Sequence, residues 1–227
     1  MTDAPAKPGF NLTSPLGRAR AVADYLWNDH AYLRLGFSNA HWISDELVRA
    51  NQPWPHQLAD WKARGIRTVV NLRGGFGASF HALEKDACAR LGLNLVDFTI
   101  TSREVPSRER VLGAKALFET LEYPALMHCK SGADRAGIMS VLYMHFRKGL
   151  PIREAMEQLS LRYLHIRHGK TGVLDYTFAR YLIEGEPAGM TFLQWVESPL
   201  YDPVAMKAEF RTNMWGNLLT ESVLRRE

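Results

Sequence analysis

The sequence predicts an α/β fold, a central and mostly parallel sheet flanked by helices. Two observations carry that prediction. Between Ile66 and Phe146, short apolar or β-branched runs alternate with longer stretches of helical periodicity, and Gly or Pro marks most junctions. The stretch richest in chemistry, Pro124-Ala-Leu-Met-His-Cys-Lys-Ser-Gly-Ala-Asp-Arg-Ala-Gly137, itself reads as strand, loop and helix. Ligands of parallel sheets collect at such strand ends.

Taken in order, residues 1–15 hold Pro5, Pro8, Gly9 and Pro15 and read as a flexible tail. Helical spacing follows from Leu16 to Leu35, with Ala19, Ala23, Leu26, Trp27, His30 and Leu33 on one side. Extended structure is expected at Trp42 and from Leu47 to Pro53, then a helix from Pro55 to Arg64 that Gly65 ends. Ile66 to Leu72 is a β-branched strand closed by an Arg73-Gly74-Gly75 turn. Phe80 to Leu91 is helical up to Gly92, and Leu93 to Ile100 is another strand. Ser107 is a good N-cap for a helix to about Glu122, with Glu109 in its first turn. After Gly149, helices are expected over Pro151 to Leu161 and from Thr171 or Gly172 to Ile183. Residues 16–185 thus form one domain, and 186–227, with Trp195 and Trp215 between scattered prolines, form a helical extension.

Composition narrows the function. The chain of 227 residues carries a net charge of +4, which agrees with an anionic substrate, and has no dense Lys/Arg run of the kind that binds nucleic acid. Only Cys88 and Cys129 occur, so no disulfide framework is implied and a reducing, cytoplasmic compartment is expected. The longest apolar run, Ile138 to Phe146, is far short of the ~20 residues that span a bilayer. Arg18, Arg20, Arg34 and Trp27 leave peripheral contact with an anionic membrane open.

The loop after the strand at Ala125 is where chemistry concentrates. A loop between a strand's end and a helix's start aims backbone N–H groups into one concavity, and the helix dipole adds positive potential. Such a nest binds phosphate and stabilises a thiolate. Arg135 adds a planar, two-donor clamp for phosphoryl oxygens. A buried structural cysteine beside a solvated arginine is the plainer reading, but Lys130, Ser131 and Asp134 make a poor core and a good site.

His128-Cys129-(x5)-Arg135 resembles the signature loop of the cysteine-dependent protein tyrosine and dual-specificity phosphatases, in the form seen in their atypical bacterial branch. The segments Arg49-Ala-Asn-Gln-Pro53 and Gly65-Ile-Arg-Thr-Val-Val-Asn-Leu-Arg-Gly74 resemble the same group, so the similarity covers roughly residues 47–185. The resemblance implies a dual-specificity-like fold and hydrolysis of phosphomonoesters without metal or other cofactor. Cys129 is then the nucleophile, Arg135 the transition-state clamp and His128 a support for the loop. The phosphate would rest on the backbone of Lys130, Ser131, Gly132, Ala133, Asp134 and Arg135.

The general acid stays open among three residues. The family draws an aspartate from a loop about thirty residues before the cysteine, which points first to Asp97, in surroundings that resemble the phosphatidylglycerophosphate phosphatases. Asp134 is the rival, since a Cys-x-x-Gly-x-Asp-Arg loop resembles that of secreted bacterial phosphatases of mycobacterial type. Glu104 is third. One departure stands out: the family usually has Ser or Thr after the arginine, and here it is Ala136. Lys130 and the cluster Arg162, His165, Arg167, His168 and Lys170 favour strongly anionic partners, among phosphoprotein, inositol phosphate and phospholipid. A phosphate-binding module without turnover is the alternative of another class.

Overall fold

The computed structural model describes residues 9–212. The expectations for residues 1–8 and for 213–227, Trp215 included, lie outside them. Contacts divide the chain into two units, Met1–Ile100 with Thr120–Gly137 and Thr101–Glu119 with Ile138–Glu227.

The first unit contains the sheet. Its strands are β1 (His41–Trp42), β2 (Leu47–Asn51), β3 (Thr68–Asn71), β4 (Asn94–Asp97) and β5 (Ala125–Cys129), in the order β1-β2-β5-β3-β4. Only β1 runs antiparallel. The α/β architecture with a mostly parallel sheet is therefore the one the alternation implied. Every residue of β2, β3 and β5 is buried, as strands covered on both faces require, while β4 at the edge is half exposed. Because β5 is central, its C-terminal end is flanked on both sides, with Asn51 opposite Cys129 and Asn71 opposite His128.

Helices α2 (Pro55–Ala63) and α3 (Ser79–Leu91) cover one face of this sheet, where Leu58, Ala87 and Cys88 join Val48, Ala50, Val69 and Leu126 in one apolar cluster. Helix α1 (Pro15–Trp27) starts at Ser14, whose Oγ accepts from the Gly17 N–H at 3.1 Å. It packs on α3 through Ala21, Tyr25 and Leu83. The helical spacing seen as far as Leu35 is not one helix. His30 takes a left-handed conformation (φ 54°), and Ala31–Arg34 is a separate 3₁₀ turn. Asp29, at this break, turns inward.

The second unit is helical. It holds most of α4 (Arg108–Thr120), α5 (Asp134–Phe146) from Ile138 onward, α6 (Ile152–Ala155), α7 (Val173–Arg180), α8 (Phe192–Glu197) and a helical run over 203–212. Helix α6 is one short turn continued by a 3₁₀ turn, and α7 ends in a π-turn at Tyr181–Gly185. Phe192 centres an aromatic cluster with Phe146, Phe178, Tyr181 and Trp195, all with centroids within 6.0 Å of its ring. A capping box at Thr191 and Gln194 starts α8, and Arg108 ties α4 to it by donating to the carbonyls of Val196 and Ser198 at 2.7 and 2.9 Å. No helix among the described residues is long and apolar enough to cross a membrane.

Candidate active site

Cys129 is the last residue of β5, and Asp134 and Arg135 open α5, so the loop between them is only four residues long. Its shape is forced at Gly132. That residue has φ +75°, and a Cβ there would come within 2.6 Å of the Asn51 backbone nitrogen. Glycine alone suits both demands. In this conformation the Gly132 N–H points at Cys129 Sγ, 3.2 Å away.

A second device fixes the loop from behind. Arg49, on β2 and wholly buried, donates to the carbonyls of Gly132 and Ala133, both at 2.8 Å. In a trans peptide the N–H opposes the C=O. Holding these two carbonyls on Arg49 therefore turns the N–H groups of Ala133 and Asp134 the other way. Asn39 donates from Nδ2 to the Ser131 carbonyl at 3.0 Å, and is itself held where its N–H meets Asn51 Oδ1 at 2.8 Å. The loop is thus built before any ligand arrives, which keeps the reorganisation cost of binding an anion small.

His128 is fully buried, with Nε2 2.7 Å from Oε1 of Glu84 on α3. The two atoms are close, but their geometry is not that of an aligned hydrogen bond. Gln52 Nε2 also donates to that oxygen, at 3.3 Å. Glu84 therefore braces the residue next to the cysteine from the helix below. Cys88, one turn along α3, is pushed up to about 12 by burial first, with the carboxylates of Glu84 and Asp97 adding to it. It stays a thiol at neutral pH.

Lys130 leads to a cluster that the sequence did not reveal. Its Nζ lies 3.3 Å from Oδ1 of Asp29. The same carboxylate receives Arg34 at 2.5 Å and Arg73 at 2.5 and 3.1 Å. Arg73 also bonds Gln52 Oε1 and stacks over Phe80, 3.7 Å from the ring centroid. Burial opposes the charge on Asp29, but the Arg73 hydrogen bond and the charges of Arg73, Arg34 and Lys130 outweigh it and hold the carboxyl below its usual range. One carboxylate thus serves three cations beside the loop.

The acid candidates fall in different places. Asp134 is half buried at the first position of α5, next to the loop and beside Arg135. Asp97 ends β4, opposite Asn71, which in turn lies opposite His128. It is two strands from β5, roughly 10 Å at the usual strand spacing. Its carboxylate accepts from Asn71 Nδ2 at 2.8 Å and lies 3.0 Å from His81 Nε2. Glu104, in the second unit, is paired with Lys207. Ala136 is completely buried. Of the basic cluster, His165 and Arg167 are tied to Asp175 at 2.6 and 3.0 Å.

Arg49, Glu84 and Asp29 are the functional neighbours that reading the sequence missed. Arg49 had a signal, a charged residue between the apolar Leu47, Val48 and Ala50 of a strand. Asp29 had none, because its partners come from three separate segments of the chain.

The fold is shared with solved structures. P. aeruginosa TpbA is 17% identical over 67% of this chain and 91% of its own, with a TM-score of 0.52. Tk-PTP in its active form is 22% identical over 63% of this chain and 97% of its own, with a TM-score of 0.50. At such identities the likeness concerns the fold. No curated protein matches. The family model described as a DSP-PTPase phosphatase fused to NAD+ kinase matches residues 44–171, which is more than half of the chain and takes in β2 to β5, the whole loop and α5. By that match, the chain belongs to this DSP-PTPase phosphatase family.

Proposed function

We propose that the chain hydrolyses phosphomonoesters through a cysteinyl-phosphate formed on Cys129. The observation that carries this reading is the loop itself: a Gly132 N–H aimed at the sulfur, two carbonyls turned away by Arg49, and Arg135 on the first turn of α5. A thiolate at Cys129 attacks phosphorus, and the S–P bond forms as the ester P–O bond breaks. The leaving oxygen takes a proton from a general acid. Water then attacks the cysteinyl-phosphate, releasing inorganic phosphate and returning the thiolate. Arg135 and the loop N–H groups hold the equatorial oxygens through both steps.

For the acid this reading takes Asp134 first, because it directly follows the four-residue loop on the first turn of α5, whereas Asp97 stands two strands from β5. The expected substrate is strongly anionic, since Lys130 brings an ammonium group to the loop. Loss of p-nitrophenyl phosphate hydrolysis by roughly 10³-fold or more in Cys129→Ser supports the reading, and retained turnover overturns it. For the acid, Asp134→Asn is expected to slow alkyl phosphates far more than p-nitrophenyl phosphate, whose leaving group needs no proton. The same selective loss in Asp97→Asn, with Asp134→Asn unaffected, reverses the assignment.

A further inference from the structure

The second unit contains a cavity of about 430 Å³ lined by Arg103, Glu104, Lys170, Val173, Lys207, Phe210 and Arg211. None of these residues belongs to the Cys129 loop. Four are cationic and come from three segments far apart in sequence. Glu104 neutralises one of them, by pairing with Lys207. Arg103, Lys170 and Arg211 have no carboxylate partner among the described residues, so within these residues three positive charges without an acidic partner line one concavity.

The walls are braced without a ligand. The 203–212 helix is anchored by Tyr176 Oη, which donates to Glu209 at 2.8 Å, and by the Arg180–Glu209 pair. Phe210 packs on the Tyr176 ring, with centroids 5.6 Å apart. Tyr201, on the segment leading into this helix, bonds the Pro106 carbonyl at 2.6 Å, and Lys207 holds Glu104. Like charges lining one cavity repel one another, and a bound polyanion relieves that repulsion. The volume falls in the range of small-molecule sites. Val173 and Phe210 provide an apolar wall for a carbon skeleton.

We propose that this cavity is a second anion site, taking a ligand that carries two or more clustered phosphate groups. Three cations lining one cavity exceed the charge of a lone orthophosphate and match a ligand with several phosphate groups better. A chain or ring of phosphates spans them, and its affinity falls steeply with salt. The same chemistry is presented by a soluble polyphosphate and by a polyphosphorylated lipid headgroup.

Calorimetric titration of the full-length Cys129→Ser protein with inorganic tripolyphosphate tests the assignment. Two binding events are expected, one of which persists when Arg135→Ala is added. In Lys170→Gln/Arg211→Gln, built on the same background, that second event weakens by at least tenfold while the other remains. Orthophosphate binds the cavity at least tenfold more weakly than tripolyphosphate. Vesicles containing phosphatidylinositol bisphosphate form a parallel arm. Co-sedimentation lost in the double variant, without tripolyphosphate binding, assigns the phosphates to a lipid headgroup. A thermal melt shared by parent and variant shows that the substitutions leave the fold intact. A single event, abolished by Arg135→Ala and indifferent to the cavity substitutions, with no vesicle binding, overturns the proposal.

Discussion

Asp29 is the residue on which the most charge depends. The side chains of Arg34 and Arg73 are both nearly covered, and each has its guanidinium on this one carboxylate. Removing one member of a buried charged set leaves the others desolvated and uncompensated. Asp29→Asn is therefore expected to destabilise the protein by about 3 kcal/mol or more, read as a drop in the denaturant midpoint with unchanged slope. A loss below about 0.5 kcal/mol would mean that the guanidinium groups find other partners. Ala136 makes a different prediction. It sits where the family usually has a hydroxyl that assists breakdown of the phosphoenzyme, and it is fully buried at the start of α5. Slow hydrolysis of the intermediate should appear as a burst of p-nitrophenol in rapid-quench kinetics. Ala136→Ser should shrink that burst and raise kcat by roughly five- to tenfold, the rate equivalent of one hydrogen bond. No burst in the parent protein sinks this idea.

At the scale of elements, the phosphate loop is a short connection whose form is imposed by a neighbouring strand. Arg49 on β2 holds two of its carbonyls, and the β2 backbone itself, at Ala50 and Asn51, excludes any side chain at position 132. Arg49→Met removes both of these bonds; the Ala133 carbonyl keeps the Gly137 N–H at 2.8 Å, so the cost is about 1–3 kcal/mol in all. Activity should fall further than stability, because the N–H groups lose their aim. A variant that melts early yet keeps its parent kcat at low temperature would show that the loop holds its shape without Arg49. The elements themselves were largely legible in the sequence: β3, α3, α4 and β5 lie within about two residues of where periodicity and capping put them, because local patterning decides them. The α1 region was misread. Its apolar spacing continues past Trp27, but the turn at His30 is set by the contacts of Asp29, which no local pattern encodes. For the same reason Cys129, Arg135 and His128 could be read from one contiguous motif, while Arg49, Glu84 and Asp29 could not. Their meaning exists only once β2, α3 and the segment after α1 meet the loop.

For the molecule as a whole, charge sets how stability responds to acid. Asp29 is held below its ordinary carboxyl range, so the unfolded chain takes up its proton first as pH falls. The stability it contributes is complete above about pH 4 and is lost as pH drops through the lower, folded value. Asp29→Asn should therefore show a flatter decline in unfolding free energy below pH 4 than the parent, and parallel declines would remove Asp29 from the account. The larger claim is that one unit carries a preformed loop for a phosphoryl group and that Cys129 is its acceptor. Acid-quenching the full-length protein during turnover of p-nitrophenyl phosphate, then sequencing its peptides by mass spectrometry, tests that claim most directly. The account predicts one added phosphoryl group on the peptide containing Cys129, missing in Cys129→Ser. Turnover that continues in Cys129→Ser, or a phosphoryl group found on any other residue, would contradict it.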